Sequence, residues 1–425
     1  MPQPQKIILD TDPGVDDVLA ILLSLASPEL QVLLISIVFG NTHAPVAHGN
    51  LLKIYHSLAK EIDSIPGAQS RYGSLTATAT AENANSNEKP SRKTVLALGE
   101  DGPIGGEKAV AAYFHGPDGL SNITQTHPEF TPPALDPSVP HEYLDISSKP
   151  SYEVMLDILR EEEDDSVVIV ALGPLTNLAH ALRSDPATFS KVSRVVWMGA
   201  ALDHPGNTSP VAEFNCFADP FAANEILESC KAGLFQFILA PLDITTPHAI
   251  PFSDLIHPSV MPIPDSNGLI PAKPAPTPLE EFVSAMLVRV RGLQASFGLE
   301  DSMEMHDPVA VWFALAHASQ KRNSPPLEEE GWVLKARDFK IERIGELTRG
   351  MCVVDRRGTG ETNVDRSKDE KLKTLGLGVG KKDESTGRMG EKIEKAIQLP
   401  WVITQTPGIE VLRKVLLGRV FGTKV

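Results

Sequence analysis

Short apolar runs alternate with amphipathic runs along most of this chain, and the alternation restricts the fold more than any other feature. The apolar run KIIL at 6–9 is followed by residues 16–26, where apolar side chains recur at helical spacing. Similar pairs lie at 31–38 with 44–59, at 166–172 with 174–184, and at 194–198 with 219–231. Buried strands that alternate with helices are typical of βαβ units. We therefore predict an α/β fold with an open, mostly parallel β-sheet flanked by helices.

Two stretches interrupt the alternation. Residues 76–94 are small and polar, and residues 356–392 are rich in glycine, lysine, aspartate and arginine. Segments of this kind bury little apolar surface, so they do not add elements to a packed core. We predict a single domain over residues 1–425, with loop insertions at about 69–112 and 356–392.

The charge balance argues against a nucleic-acid partner. The chain has 55 acidic and 39 basic side chains, a formal net charge of -16, whereas phosphate binding needs clustered lysine and arginine. The sequence contains no run of 18 apolar residues, so we predict no membrane partner. The cysteines Cys216, Cys230 and Cys352 lack the spacing of a disulfide framework or a zinc site. We therefore predict a protein of the reducing cytoplasm.

Four aspartates crowd the segment LDTDPGVDDVLA, residues 9–20. Asp10 and Asp12 fall at the carboxyl end of the first predicted strand, where open α/β sheets bind their ligands. Asp16 and Asp17 open the following helix, where the helix dipole favours acidic side chains. Because crowded carboxylates repel one another, a set of four indicates more than helix initiation.

Three chemical interpretations compete for this cluster. An EF-hand loop fails, because counting from Asp10 places Gly14 at position five and Ile21 at position twelve. A phosphoryl-transfer site with Asp10 as nucleophile resembles the haloacid-dehalogenase-type phosphatases, which usually carry a small hydroxyl residue where this chain has residues 13–15, PGV. The third interpretation is a carboxylate cage for a hard divalent cation, with Ca²⁺ as the expected ion.

The segment DTDPGVDD at 10–17 resembles the N-terminal signature of the inosine–uridine-preferring nucleoside hydrolases. Later blocks resemble those of the same family in the same order: IVFGNTH (37–43), HGPDGL (115–120), VALGPLTNLA (170–179), residues 195–223, PLDIT (241–245), MHDPVAV (305–311) and LTRGMCVVD (347–355). The resemblance implies Ca²⁺-dependent hydrolysis of the N-glycosidic bond of purine or pyrimidine ribonucleosides, giving free base and ribose for nucleoside salvage. It also implies a homo-oligomer, either a dimer or a tetramer.

The resemblance implies a metal and catalytic set. Asp12 would be both a calcium ligand and the general base for the attacking water. Asp17, Asp307 and the backbone carbonyl of Leu172 would complete the ligands, and an oxygen-only shell suits Ca²⁺. His306 would be the general acid for the leaving base, a task that suits a group titrating near neutral pH.

The resemblance also implies a sugar-binding set. The matching positions are Asp16, Asn41, Asn207, Glu213 and Asn215, with Met198 packing nearby. Carboxylates accept hydrogen bonds from hydroxyl groups, and amides both donate and accept. Asp10 is expected to orient its neighbours, and His115 to lie at the rim of the pocket.

Two other functions stay open at this stage. One is a metal-dependent phosphatase of the haloacid-dehalogenase type that uses Asp10 as nucleophile. The other is a catalytically silent nucleoside-binding protein with the same fold. The complete set of Asp12, Asp17, His306 and Asp307 argues against the silent protein, since a retired site has no reason to keep every charge.

Overall fold

The computed structural model describes residues 3–76, 93–136, 138–264, 267–270, 272–319, 329–357 and 398–423. Its strands are β1 Gln5–Thr11, β2 Leu30–Ile37, β3 Thr94–Leu98, β4 Leu144–Ile146, β5 Val167–Ala171, β6 Arg194–Met198, β7 Gln236–Ala240, β8 Ala249–Pro251, β9 Ser302–Glu304, β10 Val333–Ala336, β11 Lys340–Ile341, β12 Cys352–Val353 and β13 Trp401–Gln405. Nine of these described strands form one sheet in the order β10-β13-β7-β6-β5-β1-β2-β3-β4. All neighbours in it are parallel except β10 and β13, which confirms the predicted α/β fold.

Helices cover both faces of this sheet. They are α1 Val15–Leu25, α2 Ala44–Ser64, α3 Ala68–Arg71, α4 Gly73–Thr76, α5 Ala112–His115, α6 Ile123–Thr126, α7 Ser151–Glu161, α8 Thr176–Ser184, α9 Pro186–Phe189, α10 Phe214–Ala218, α11 Pro220–Lys231, α12 Leu242–Thr245, α13 Phe252–Leu255, α14 Pro278–Ser296, α15 His306–Ala316 and α16 Ile409–Phe421. Short 3₁₀ turns lie at Pro128–Phe130 and Glu329–Gly331. Within the described residues, no helix combines the length and apolarity that crossing a bilayer requires.

The sheet separates two hydrophobic cores. Ile7 and Leu9 of β1 pack with α1, α2, α14, α15 and α16 on one face, whereas Ile8 packs with α7, α8 and α11 on the other. Successive side chains of a strand point to opposite faces, so a central parallel strand must be apolar throughout. This is why the runs at 6–9 and 194–198 contain almost no polar residue.

Helix α1 is buried along its whole length, since it lies between the sheet and α15. The Asp17 side chain accepts a hydrogen bond from the Gly14 N–H (2.9 Å), and this contact satisfies a backbone donor at the start of the helix. The start of α1 is thereby fixed against the end of β1. The four aspartates consequently occupy defined positions.

The predicted insertions coincide only partly with the described residues. Helices α3 and α4 and strand β3 lie within 69–112 or at its border, and β3 is an inner strand of the sheet between β2 and β4. Residues 77–92 and 358–397 lie outside the described residues. The block at 347–355 contributes β12, which pairs with β11 in a separate antiparallel ribbon rather than with the main sheet.

One buried amide connects the central strands below the carboxyl ends. The Asn177 Nδ2 group donates to Asp10 Oδ2 (2.8 Å), Ser36 Oγ (3.0 Å) and Ile37 O (3.0 Å), while Asn177 Oδ1 accepts from the Glu100 N–H (2.9 Å). Asn177 is completely buried. A buried polar network is stabilising only while its members are satisfied.

We therefore expect Asn177→Leu to lower the free energy of unfolding by about 2–4 kcal/mol, because it leaves several buried polar groups without partners. Urea denaturation followed by circular dichroism measures the change. The matched control is Asn224→Leu on α11, where the side chain is partly exposed, and we expect a change below about 0.5 kcal/mol. Equal losses in the two variants would contradict this account of Asn177.

Candidate active site

The carboxyl ends of β1 and β5 lie side by side at the point where the strand order of the sheet reverses direction. From β1 the order proceeds through β2 towards β4, and from β5 it proceeds through β6 and β7 in the opposite direction. Open α/β sheets bind their ligands outside the strand ends at such a point. Asp12 follows β1, Leu172 follows β5 and Met198 ends β6, so these three predicted site residues lie at this edge.

A cavity of about 230 Å³ lies at this edge. Most of the predicted site residues line it, namely Asp16, Asn41, His115, Leu172, Met198, Asn207, Glu213, Asn215, His306 and Asp307. Asp10, Asp12 and Asp17 do not line it and are completely buried. Residues from opposite ends of the chain therefore meet in one place.

Three carboxylates are close enough to share a cation. Asp16, Asp17 and Asp307 each place one oxygen so that the three oxygens lie within 4.8 Å of one another. Asp16 and Asp17 come from the first turn of α1, and Asp307 from the first turn of α15, which packs on α1. This group contains Asp16, which the sequence analysis had assigned to the sugar.

Asp12 lies next to this group in a slot between two glycines. A Cβ atom at Gly173 would lie only 2.6 Å from Asp12 Oδ1, and one at Gly40 would overlap Oδ2, so neither position has room for a side chain. Asp12 Oδ2 accepts from the Asn41 N–H (2.6 Å), whereas the buried Oδ1 has no hydrogen-bond partner among the described residues. An unpartnered buried carboxylate oxygen is costly unless a cation or a donor reaches it.

Asp17 and Asp10 are held by hydrogen bonds. Asp17 accepts from the Thr11 hydroxyl and from Asn41 Nδ2 (2.8 Å), and Asp10 accepts from the Ser36 hydroxyl besides Asn177. Asn41 therefore donates to both Asp12 and Asp17. It orients these carboxylates as well as lining the cavity.

Burial and mutual repulsion raise the pKa values of these carboxyl groups. Burial raises the pKa of Asp10 to about 7, and burial together with the charge of Asp17 raises the pKa of Asp16 to about 7. Burial and neighbouring aspartates hold the pKa values of Asp12 and Asp307 well above the usual range. None of the described residues that line the cavity is a lysine or an arginine, so a bound cation is the natural counter-charge.

The donor set fits a hard divalent cation. The candidate ligands are the carboxylates of Asp12, Asp16, Asp17 and Asp307 and the carbonyl of Leu172, all of them oxygens. The unpartnered Oδ1 of Asp12 supports the fit on a separate observation. Oxygen ligands are those that calcium and magnesium prefer, whereas zinc favours nitrogen and sulfur.

Polar side chains on the opposite wall are fixed by the start of α10. Glu213 accepts from the N–H groups of Asn215 (2.6 Å), Ala200 (2.9 Å) and Cys216 (2.9 Å), and burial raises its pKa. Asn215 Nδ2 donates to Leu172 O (2.7 Å) and to the carbonyl of Met198 (3.0 Å). The wall thus contacts the strand ends directly.

Asn207 closes the loop that precedes this helix. Its Oδ1 accepts from the Phe214 N–H (2.9 Å), and the residue also lines the cavity. Asn207 therefore shapes the backbone in addition to offering its amide to a ligand.

His306 is held at both ring nitrogens. Thr245 Oγ1 lies 2.8 Å from Nδ1, and Glu304 Oε2 lies 2.9 Å from Nε2. Burial opposes the charged ring, but Glu304, Asp16 and Glu213 outweigh it and raise the pKa of His306. The imidazole is thus prepared to hold a proton beside the cavity.

His115 has the opposite character. Its Nδ1 accepts from the Val15 N–H (3.2 Å), so the ring contacts the turn that carries the aspartates. Burial and the nearby charges of His306 and Arg289 lower the pKa of His115 to about 3. This histidine is neutral at physiological pH and is not a proton donor of the same kind.

Several residues at the site were not predicted from the sequence. These are Thr245 and Glu304 as partners of His306, and Tyr113, Phe114, Gln294, Leu299 and Met303 in the lining. Gln294 is only 6% exposed, and its Oε1 has no hydrogen-bond partner among the described residues.

The site geometry disfavours the phosphatase alternative. Its nucleophile would be Asp10, which is completely buried, lies outside the cavity lining and accepts hydrogen bonds from Ser36 and Asn177. A nucleophile must reach the reacting atom of its substrate.

Comparisons with known proteins agree with the site. The family model described as inosine-uridine preferring nucleoside hydrolase matches residues 7–375. The inosine-uridine preferring nucleoside hydrolase of Leishmania major is 27% identical over 354 residues, which cover 83% of this chain and 88% of that protein. Uridine nucleosidase 1 of Arabidopsis thaliana is 32% identical over 253 residues, which cover 59% of this chain and 60% of that protein.

A solved structure shows the same fold. An inosine-guanosine nucleoside hydrolase superposes with a TM-score of 0.65 and 23% sequence identity, over 98% of this chain and 99% of that one. The family match extends over most of the chain and includes every predicted site residue. The chain therefore belongs to the inosine-uridine preferring nucleoside hydrolase family, enzymes that hydrolyse the N-glycosidic bond of ribonucleosides.

Proposed function

We propose that this protein is a Ca²⁺-dependent ribonucleoside hydrolase that releases free purine or pyrimidine base and ribose. The observation that carries the proposal is the convergence of Asp12, Asp16, Asp17 and Asp307 at one end of a cavity that His306 also lines. Hydrolysis of a glycosidic bond uses a base for the attacking water, groups that hold the sugar and an acid for the leaving group, and the carboxylate cluster, the polar wall and the imidazole can supply them.

The sugar binds between the carboxylates and the wall formed by Glu213 and Asn215. Asp16 lines the cavity while one of its oxygens faces Asp17 and Asp307, so it lies between the metal ligands and the sugar. Asn41 and Asn207 add amide groups, and Met198 supplies an apolar surface. Because these donors and acceptors are held by backbone contacts, they are in place before the sugar arrives, which reduces the entropy lost on binding.

Asp12 takes the proton from the attacking water. Its carboxylate is held by the Asn41 N–H and keeps Oδ1 without a protein donor among the described residues. Asp12, Asp17, Asp307 and the carbonyl of Leu172 would hold the calcium ion. When bound, the ion makes a nearby water molecule more acidic and therefore a better nucleophile at neutral pH.

His306 would give a proton to the leaving base, for which one ring nitrogen exchanges its contact with Thr245 or Glu304 for the base. Glu304 and Thr245 fix the ring, and Glu304 favours its charged form. The base then leaves as a neutral molecule, which lowers the barrier for bases that are poor anions. The cavity lining also contains the apolar side chains of Phe114, Phe297 and Leu299 with Gln294 as an amide, and this combination suits a planar base of either class.

The homo-oligomeric state, the cytoplasmic location and the role in nucleoside salvage remain predictions that follow from the family resemblance and the composition. Size-exclusion chromatography with light scattering measures the first of them directly.

We expect Asp12→Asn to lower kcat for base release by about 1,000-fold, because the amide cannot accept the water proton. In the metal-free protein the melting temperature should not fall, since the change removes one of several buried like charges. Ribose release measured with a reducing-sugar assay gives kcat. Asp157→Asn, on the exposed surface of α7, is the matched control and should retain full activity. Undiminished turnover of Asp12→Asn would remove Asp12 from the mechanism.

The leaving base tests His306. We expect His306→Ala to lower kcat for uridine and inosine by about 100-fold or more, because these bases need protonation to leave. A nitrophenyl riboside should lose less than about 5-fold, since nitrophenolate leaves without a proton. An equal loss with both kinds of substrate would contradict the acid role.

Metal removal tests the carboxylate cluster. Dialysis against EDTA, with elemental analysis to show the loss of metal, should abolish turnover, and Ca²⁺ should restore it better than Zn²⁺ because every candidate ligand is an oxygen. Isothermal titration calorimetry of the stripped protein with Ca²⁺ should show one site per chain that Asp307→Asn weakens. Full activity in metal-free protein would refute the calcium proposal.

A further inference from the structure

The block LTRGMCVVD at 347–355 contains no predicted site residue. Its Arg349 nevertheless contacts two segments of the chain that also carry residues of the cavity lining. The ribbon of β11 and β12 brings this arginine against α10. The backbone of the turn is closed by Gly350 N–H donating to Glu342 O (2.7 Å) and Arg349 N–H donating to Gly345 O (3.0 Å). Arg349 therefore projects from a defined backbone position.

The guanidinium joins two segments through three carbonyl groups. Nε donates to Phe217 O (2.9 Å), and Nη2 donates to Ala218 O (3.1 Å) and to Glu107 O (2.7 Å). Its Cζ atom also lies 4.7 Å from the centre of the Phe217 ring. We call residues 213–218 the sugar wall, because Glu213 and Asn215 line the cavity, and residues 107–115 the rim wall, because Tyr113, Phe114 and His115 line it on another side.

The contact between the ribbon and the sugar wall is close. Gly350 has φ +77°, and a Cβ atom there would lie 2.6 Å from Phe217 Cα, so only glycine allows this approach. The thiols of Cys216 and Cys352 contact each other in the same interface. The ribbon thus fits directly onto the backbone of α10.

Helix α10 has only five residues, too few to be stable without tertiary contacts. The last carbonyls of any helix lack partners within it, and a cation at this end is favourable. Arg349 supplies donors to two of these carbonyls and a cation at the same end. Glu213 and Asn215 stand at the other end of the same short helix, so a tilt of α10 moves them relative to the carboxylates.

We propose that Arg349 is a positioning residue that sets the spacing of the sugar wall and the rim wall, and thereby the preference for ribose over deoxyribose. The inference rests on the proposed sugar-binding role of Glu213 and Asn215. Arg349 does not line the cavity and acts only through the segments that it connects. A planar guanidinium can reach three carbonyls at once, whereas a lysine ammonium cannot hold both walls with the same geometry.

The test compares Arg349→Met, Arg349→Lys and the control Arg413→Met. Arg413 forms an ion pair with Asp254 outside the cavity, and its side chain is 25% exposed. For each variant, kcat and KM are measured with uridine and with 2′-deoxyuridine. The ribose preference is the ratio of kcat/KM for uridine to kcat/KM for 2′-deoxyuridine. We expect Arg349→Met to raise KM for uridine and to lower this ratio about 10-fold or more. Arg349→Lys should give an intermediate ratio, and Arg413→Met should leave it unchanged. In an Asn215→Ala background, Arg349→Met should change the preference less than 2-fold, because both act on the same contact.

Hydrogen exchange gives a readout that does not need turnover. We expect Arg349→Met to accelerate exchange in residues 213–218 and 107–115 together, while α14 and the central strands stay protected. An unchanged ribose preference in active Arg349→Met, even with a lower melting temperature, would overturn the inference and leave the proposed function intact. Unchanged hydrogen exchange in either wall would separately overturn the positioning role. The proposed function itself would fail if the wild-type chain released no base from any ribonucleoside.

Discussion

Repulsion among buried carboxylates is the constraint on which the rest of the site depends. Two unit charges 4 Å apart interact by about 4 kcal/mol at an effective dielectric constant of 20. Here several aspartates lie at such separations, and none of the described residues of the cavity lining is a lysine or an arginine. Asn41, Thr11 and the Gly14 backbone donate hydrogen bonds to these carboxylates. These donors hold the carboxylates in place but do not neutralise them, so the architecture calls for a divalent cation.

The parallel sheet makes this concentration of charge possible. Strands β1 and β5 end side by side, and their buried apolar side chains on both faces anchor the loops that follow. Asn177 links β1 to β2, and α15 brings residues from the far end of the sequence against α1. A rigid scaffold beneath and packed helices at the side keep polar groups where unsupported loops could not.

Strong local patterns made most of this arrangement predictable from the sequence. The central strands are uninterrupted apolar runs, and the long helices show regular spacing, so β1, β2, β5 and β6 and the helices after them were identified. The edge strand β10 and its neighbour β13 were not, because they are short and half-exposed and depend on partners distant in sequence. Glu304, Gln294 and Arg349 were missed for a related reason: their roles arise from tertiary contacts that leave no local pattern.

Helix α15 begins with His306 and Asp307 in direct succession. The imidazole that we propose as the proton donor and the carboxylate that we propose as an ion ligand therefore share one rigid body. Any displacement of this helix moves both groups together, so occupancy by the ion and alignment of the proton donor are mechanically coupled. An enzyme built in this way cannot adjust one half of its chemistry by shifting the helix without also disturbing the other.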